Sequence, residues 1–174
     1  MRSTEPLIRN RRAGVVAGAL IVLALATACY GGSAAGVTRE AGYPTGSSYA
    51  ESTERELMDL LNAERAANGL GAVSWDGQLG WLSIDWSQSM AASGSFTHRD
   101  LNHAIRNLVS GFTRLGENIL VGGCGMSAAD MHRAWMNSAG HRANILATGY
   151  NTAAIGVVCG SDGRVWATTN FGLI

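Results

Sequence analysis

Four histidines (His98, His103, His132, His141) and Glu117 are the side chains best suited to chemistry in this 174-residue chain. Neutral imidazole binds divalent metals and moves protons near neutral pH, and a buried carboxylate can serve as a base. His98 lies in Ser95-Phe-Thr-His98-Arg-Asp100, and His141 in Asn137-Ser-Ala-Gly-His141-Arg. Both sit beside turn-forming residues. Glu117 lies in Gly116-Glu-Asn-Ile119, entering an apolar run. No pair has a local metal-site spacing such as H-E-x-x-H. Taken singly, each is more simply a surface or hydrogen-bonded structural residue. Ser138 precedes Gly140 and His141 but lacks the strand–turn–helix elbow of a Ser–His hydrolase.

The elements that must position these residues follow from hydrophobic period and capping. Thr53 and Glu56 have capping-box spacing, and Leu57, Leu60 and Leu61 mark a helical face that Asn68-Gly69 ends. Asp76 can cap a second helix through Leu79, Leu82, Trp86 and Met90, stopped at Ser93-Gly94. A third helix follows Asp100. Residues 117–121 read as a strand, and Ser127 with Asp130 as the start of a helix to Asn137. A short helical turn covers 141–146. Two β-rich runs, 152–159 and 164–171, flank the hairpin turn at Gly160–Gly163. This order predicts an α+β fold with a small antiparallel sheet. Trp135 and Trp166 fall in periodic apolar runs and read as core.

The composition excludes some classes. With 47% apolar and 15% charged residues the chain is not disordered. Its 13 basic residues, all Arg, balance 13 acidic ones, so no basic field grips nucleic acid. Arg2, Arg9, Arg11 and Arg12 precede an apolar run over 13–28, shorter than the ~20 residues of a membrane span. Ala26-Thr27-Ala28 follows, so 1–28 reads as a secretory signal peptide, with an uncleaved anchor helix as the alternative. Cys29 comes next, and small residues before a Cys resemble the bacterial lipobox. The same triplet also suits ordinary signal peptidase. The expected product is exported, either secreted or lipid-anchored at the outer face of the cytoplasmic membrane. Membrane contact is expected only through the signal peptide or the anchor. Lipidation of Cys29 leaves Cys124 and Cys159 as an even pair in an oxidising compartment. One structural disulfide is expected there; two free buried thiols are the alternative. Residues 29–52, rich in Gly, Ser, Ala and Thr, read as a flexible tether, and 53–174 as one domain.

Four strings occur in order: F-T-H-R-D (96–100), G-E-N-I (116–119), W-M-N-S-A-G-H-R-A-N-I-L (135–146) and W-A-T-T-N-F-G (166–172). Together they resemble the CAP superfamily of cysteine-rich secretory proteins, venom antigens and plant pathogenesis-related proteins, in its bacterial single-domain (SCP-like) branch. The resemblance implies an α/β/α sandwich and a surface cleft with two His and acidic residues. It places His98 and His141 as the cleft imidazoles and Glu117 as the acid. Many eukaryotic members carry a second Glu three residues after the helix Trp; here that place is Ser138. Two imidazoles could hold Zn²⁺ or another divalent cation, one short of the three protein ligands usual at catalytic zinc. Glu117 could orient one ring. Asn118 is expected to satisfy backbone groups beside the strand. Arg142 and Asn144 are expected to bond across the cleft base and position His141.

The expected function is therefore an extracellular binding module at the cell envelope, taking a lipid or other small apolar ligand. It is more a binder than an enzyme. The alternative is a metal-dependent hydrolase acting on cell-wall or extracellular protein substrates.

Overall fold

The computed structural model describes residues 48–174. The expected signal segment, Cys29 and the tether as far as residue 47 lie outside the described residues. The elements are α1 (Ser48–Ala67), β1 (Ser74–Trp75), α2 (Gly77–Ser93), α3 (Leu101–Asn107), β2 (Arg114–Gly123), α4 (Ala128–Asn137), α5 (Ala139–Ile145), β3 (Thr152–Cys159) and β4 (Arg164–Leu173).

The first helix starts at Ser48, ahead of the Thr53 capping box, so 48–52 is helical and not tether. Packing explains the extension. Ala50 is buried, and the Tyr49 hydroxyl donates to the Met126 carbonyl at 2.7 Å. Thr53 itself is buried within the helix. The other caps stand where expected. The Asp76 carboxylate accepts from the Gln78 and Leu79 amides, Asp100 from His103, and the Ser127 hydroxyl from Asp130. Gly94 ends α2 at φ 68°, in the left-handed region that glycine enters without steric cost.

Four strands form one sheet in the order β1-β3-β4-β2. Strands β2, β4 and β3 run antiparallel as expected, while β1 pairs with β3 in parallel. The sheet is thus mixed. With two residues, β1 carries no period to read, and its pairing comes from the chain returning beside Thr152 and Ala153.

Side chains alternate across the sheet, as a strand's period of two requires. From β4, Val165, Ala167 and Phe171 join Leu57 and Leu61 of α1, Met131 and Trp135 of α4 and Ile145 of α5. Its Trp166 joins Met90 of α2 and Ile119 of β2 on the opposite face. Leu79 and Leu82 of α2 pack with Ala104 of α3. The sheet therefore lies between α1, α4 and α5 on one side and α2 and α3 on the other. This is the expected three-layer sandwich.

Two contacts set the frame around the site. The α2 helix approaches the sheet closely, with Ser83 Oγ donating to the Ala154 carbonyl at 3.1 Å and Ser87 Oγ to the Gly156 carbonyl at 2.9 Å. A Cβ on Gly156 would lie 2.3 Å from the Ile84 nitrogen. On the outer edge of β3, past β1, buried Glu54 of α1 accepts the Val157 amide at 3.0 Å. Its carboxylate occupies a strand edge that would otherwise be open.

Candidate functional site

The site is assembled where three segments meet: residues 94–100 after α2, the middle of β2, and the start of α5. Arg99 fastens the first to α2. Its guanidinium lies 4.7 Å from the Trp86 ring centroid, donates to the Leu82 carbonyl at 3.4 Å and pairs with Asp85. The Trp86 indole donates to the Thr97 carbonyl at 2.9 Å. So held, the loop turns both His98 and the Arg99 amide toward Glu117.

Glu117 Oε1 receives the Arg99 N–H at 3.0 Å and lies 2.8 Å from His98 Nδ1. The glutamate side chain is 1% exposed, whereas that of His98 is 56% exposed. Among the described residues, no hydrogen-bond partner reaches the buried Glu117 Oε2. Burial raises the Glu117 pKa, and the His98 and Arg99 hydrogen bonds oppose the rise. A carboxylate on one imidazole nitrogen fixes the ring and leaves Nε2 to face outward.

His141 is carried by the first turn of α5. Asn118 Nδ2 donates to its carbonyl at 3.0 Å. Asn144 Nδ2 donates to the Glu117 carbonyl at 3.1 Å and to Asn118 Oδ1 at 2.9 Å. The two asparagines thus lock α5 to β2 and set the second imidazole 6.3 Å from the first, centroid to centroid. Burial lowers the His141 pKa, and the charge available to His98 lowers it further. Both effects favour the neutral form of the His141 imidazole.

The expected residues separate into those the structure brings together and those it does not. His98, Glu117, His141, Asn118 and Asn144 converge. Ser138 lies beside His141 on the wall of a groove. Arg142 does not bond across the cleft base. It is exposed on α5, which turns its side chain outward one residue after His141, and Asn144 makes the bridge instead. His103 stays on α3 beside Asn107, and His132 is buried on α4, 3.8 Å from Glu64. The expected disulfide joins Cys124 and Cys159, tying the ends of β2 and β3 on either side of β4.

These residues do not fit a resident metal as they stand. An ion at 2.0–2.1 Å from one nitrogen of each ring, at a tetrahedral angle, needs centroids about 5 Å apart. Glu117 Oε1 is already engaged, and no group of three His, Cys, Asp or Glu converges on one point among the described residues.

Beside His141 runs a groove of about 270 Å³, lined by Phe96, Ile119, Leu120, Val121, Ala134, Trp135 and Ser138. Phe96 is 50% exposed and leans on Trp166, with ring centroids 6.5 Å apart. His141 is the single ionisable side chain of the lining.

Comparison with known proteins agrees with this fold. The profile of the cysteine-rich secretory protein family, CAP, matches residues 58–171. The chain belongs to the CAP family. An uncharacterized Bacillus subtilis protein, YkwD, is 30% identical to this CAP chain over 118 residues, 65% of the chain and 44% of the relative. An extracellular SCP-domain protein of Bacillus anthracis superposes with a TM-score of 0.62 at 25% identity, covering 72% of this chain and 41% of that one. An outer surface protein of Borrelia burgdorferi shares the fold, with a TM-score of 0.65 at 16% identity over 71% of this chain and 93% of that one. The CAP chain thus spans less than half the length of YkwD and of the Bacillus anthracis protein. Among the described residues no helix is long and apolar enough to cross a membrane.

Two features of the candidate site were not read from sequence. Arg99 stood inside the F-T-H-R-D string, but its partner Asp85 lies 14 residues earlier in the chain and gave no signal. The exposed faces of Phe96, in the loop after α2, and of Val121, on β2, were not singled out, because which side of an apolar residue is left uncovered depends on tertiary packing.

Proposed function

We propose that this protein is an exported CAP-domain binding module that holds an apolar group of an envelope or extracellular component in the groove beside His141. One observation carries the reading. The groove is walled by Phe96, Ile119, Leu120, Val121, Ala134 and Trp135, and its polar lining is the His141 imidazole and the Ser138 hydroxyl. Such a surface rewards apolar contact with a small polar fix and supplies little for bond cleavage. Metal-dependent hydrolysis needs a third ligand that the His98–Glu117–His141 cluster lacks. Export is supported by the disulfide, which persists in oxidising compartments, and by the extracellular and outer-surface relatives. Acylation of Cys29 belongs to the same proposal. The intact mass of the mature protein tests it: a diacylglyceryl increment on Cys29 is expected, and an unmodified cysteine there overturns the anchor.

The groove is tested by calorimetric titration with dodecanoate and with blocked Leu- and Phe-containing peptides. Val121→Arg, which sets a charge in the apolar lining, is expected to weaken binding of the better probe about tenfold. Equal affinity in the variant overturns the assignment.

A further inference from the structure

The groove lies along one edge of the sheet, and its lining comes from both faces. Phe96 and Ile119 belong to the α2 side, where Phe96 rests on Trp166 and Ile119 packs with Met90 and Trp166. Leu120 and Trp135 belong to the α1–α4 side. A hollow with walls on both faces of an edge strand occupies the place of the next strand.

The hydrogen bonding of β2 gives the same answer. The Cys124 amide donates to Gly163 in the β2–β4 register, so even-numbered residues of β2 face β4. Odd-numbered residues turn their N–H and C=O groups outward. Their carbonyls are taken one by one. Leu115 accepts the Tyr150 hydroxyl at 3.4 Å, and Glu117 accepts Asn144 at 3.1 Å. Ile119 accepts the Trp135 indole at 3.2 Å, and Gly123 accepts the Met126 amide at 3.1 Å. Val121 is the exception: among the described residues no hydrogen bond reaches its outward N–H or C=O. It sits in the groove.

We infer that the groove binds an extended apolar polypeptide segment by strand addition, with one residue of the segment exchanging two backbone hydrogen bonds with Val121. This rests on the reading of the groove as a binding site and names its ligand class. An alkyl chain would fill the same apolar walls but bury the Val121 N–H and C=O without partners, which is unfavourable. A peptide backbone satisfies both. Successive side chains would point alternately toward Phe96 and toward Ala134 and Trp135, so both faces select apolar residues and the segment is a continuous apolar run of about three residues.

The test uses blocked pentapeptides, acetyl-Thr-X-X-X-Thr-amide with X as Val, Leu or Phe, titrated calorimetrically into the protein. A parallel set is N-methylated at the central residue. Dodecanoate serves as the non-peptide apolar probe. In Val121→Pro the outward donor is gone while the bonds to β4 remain, and edge strands tolerate such a proline. Val121→Ala keeps the donor. Binding of at least one peptide is expected, with losses of about tenfold on central N-methylation and in Val121→Pro, and a smaller loss in Val121→Ala. Thermal melting checks that Val121→Pro folds; if it does not, the N-methylated set decides alone. Equal binding of methylated and plain peptides overturns strand addition. Binding of dodecanoate without any peptide overturns the inference and leaves the binding module standing. Binding of neither probe overturns both. Self-association of the protein through Val121, seen as a dimer by sedimentation and lost in Val121→Pro, replaces the peptide with a second copy and overturns the inference.

Discussion

At the scale of single residues, Glu117 is the pivot. One of its oxygens takes two donors, and among the described residues the other takes none. Its raised pKa has a definite sign for stability: the favourable contribution is present at low pH and is lost as pH rises through the folded value. His141 runs the other way. Its lowered pKa makes a contribution that is present above the ordinary histidine value and is lost as pH falls through the folded one. The two are joined through His98, so His98→Ala has a directional effect. Removing the charge that faces His141 raises the His141 midpoint, while burial keeps it below the ordinary value. A proton NMR titration of the His141 ring reads this, and an unchanged or lower midpoint contradicts it. The converging five residues, His98, Glu117, Asn118, His141 and Asn144, were legible because they lie in strings whose order fixes their meeting. Arg142 was misplaced because adjacent helical positions point about 100° apart, and sequence alone did not say which of Arg142 and Asn144 faces β2.

At the scale of elements, the close seat of α2 on β3 controls the site, since Asp85 and Trp86 of that helix hold the His98 loop. Gly156 permits the approach. A methyl group there meets the backbone of Ser83 and Ile84, which cannot swing aside as a side chain would. Gly156→Ala is expected to destabilise the protein by about 3 kcal/mol, the upper range of overpacking penalties. Urea unfolding measures it, and a change under about 1 kcal/mol contradicts it. Capping residues made α2, α3 and α4 readable from sequence, because Asp76, Asp100 and Ser127 satisfy amides that a helix start leaves open. The start of α1 was not readable. It depends on Tyr49 reaching Met126, a contact across 77 positions of sequence. The same limit hid β1, whose pairing is entirely tertiary.

At the scale of the whole molecule, the Cys124–Cys159 bridge closes a separation of 35 residues and spans β4 from β2 to β3. Chain-entropy reasoning assigns such a loop about 4 kcal/mol. The Cys124→Ala/Cys159→Ala double variant is expected to lose stability of that order in urea, and a loss under about 1 kcal/mol shows that the loop is restrained by other means. Arg65 supplies a second long-range tie. Its buried guanidinium donates to the carbonyls of Gly71, Ile145 and Ala147 at 2.8, 2.9 and 2.8 Å, joining the end of α1 to the segment after α5. Neither the path of that guanidinium nor the closing of the sandwich shows in local sequence, although the motif order announced the fold.

The two borders of the sheet are unlike. Along β3, β1 pairs with Thr152 and Ala153, and the Glu54 carboxylate sits on Val157. Along β2, Val121 keeps both backbone groups available. On the proposed strand addition, such a molecule would be monovalent toward extended chains. It would take up one strand at Val121, while β1 and Glu54 stand where a second would have to add on the far border. Its complexes with such segments are then expected to be one-to-one and finite, an apolar docking edge that does not seed fibres of its own kind.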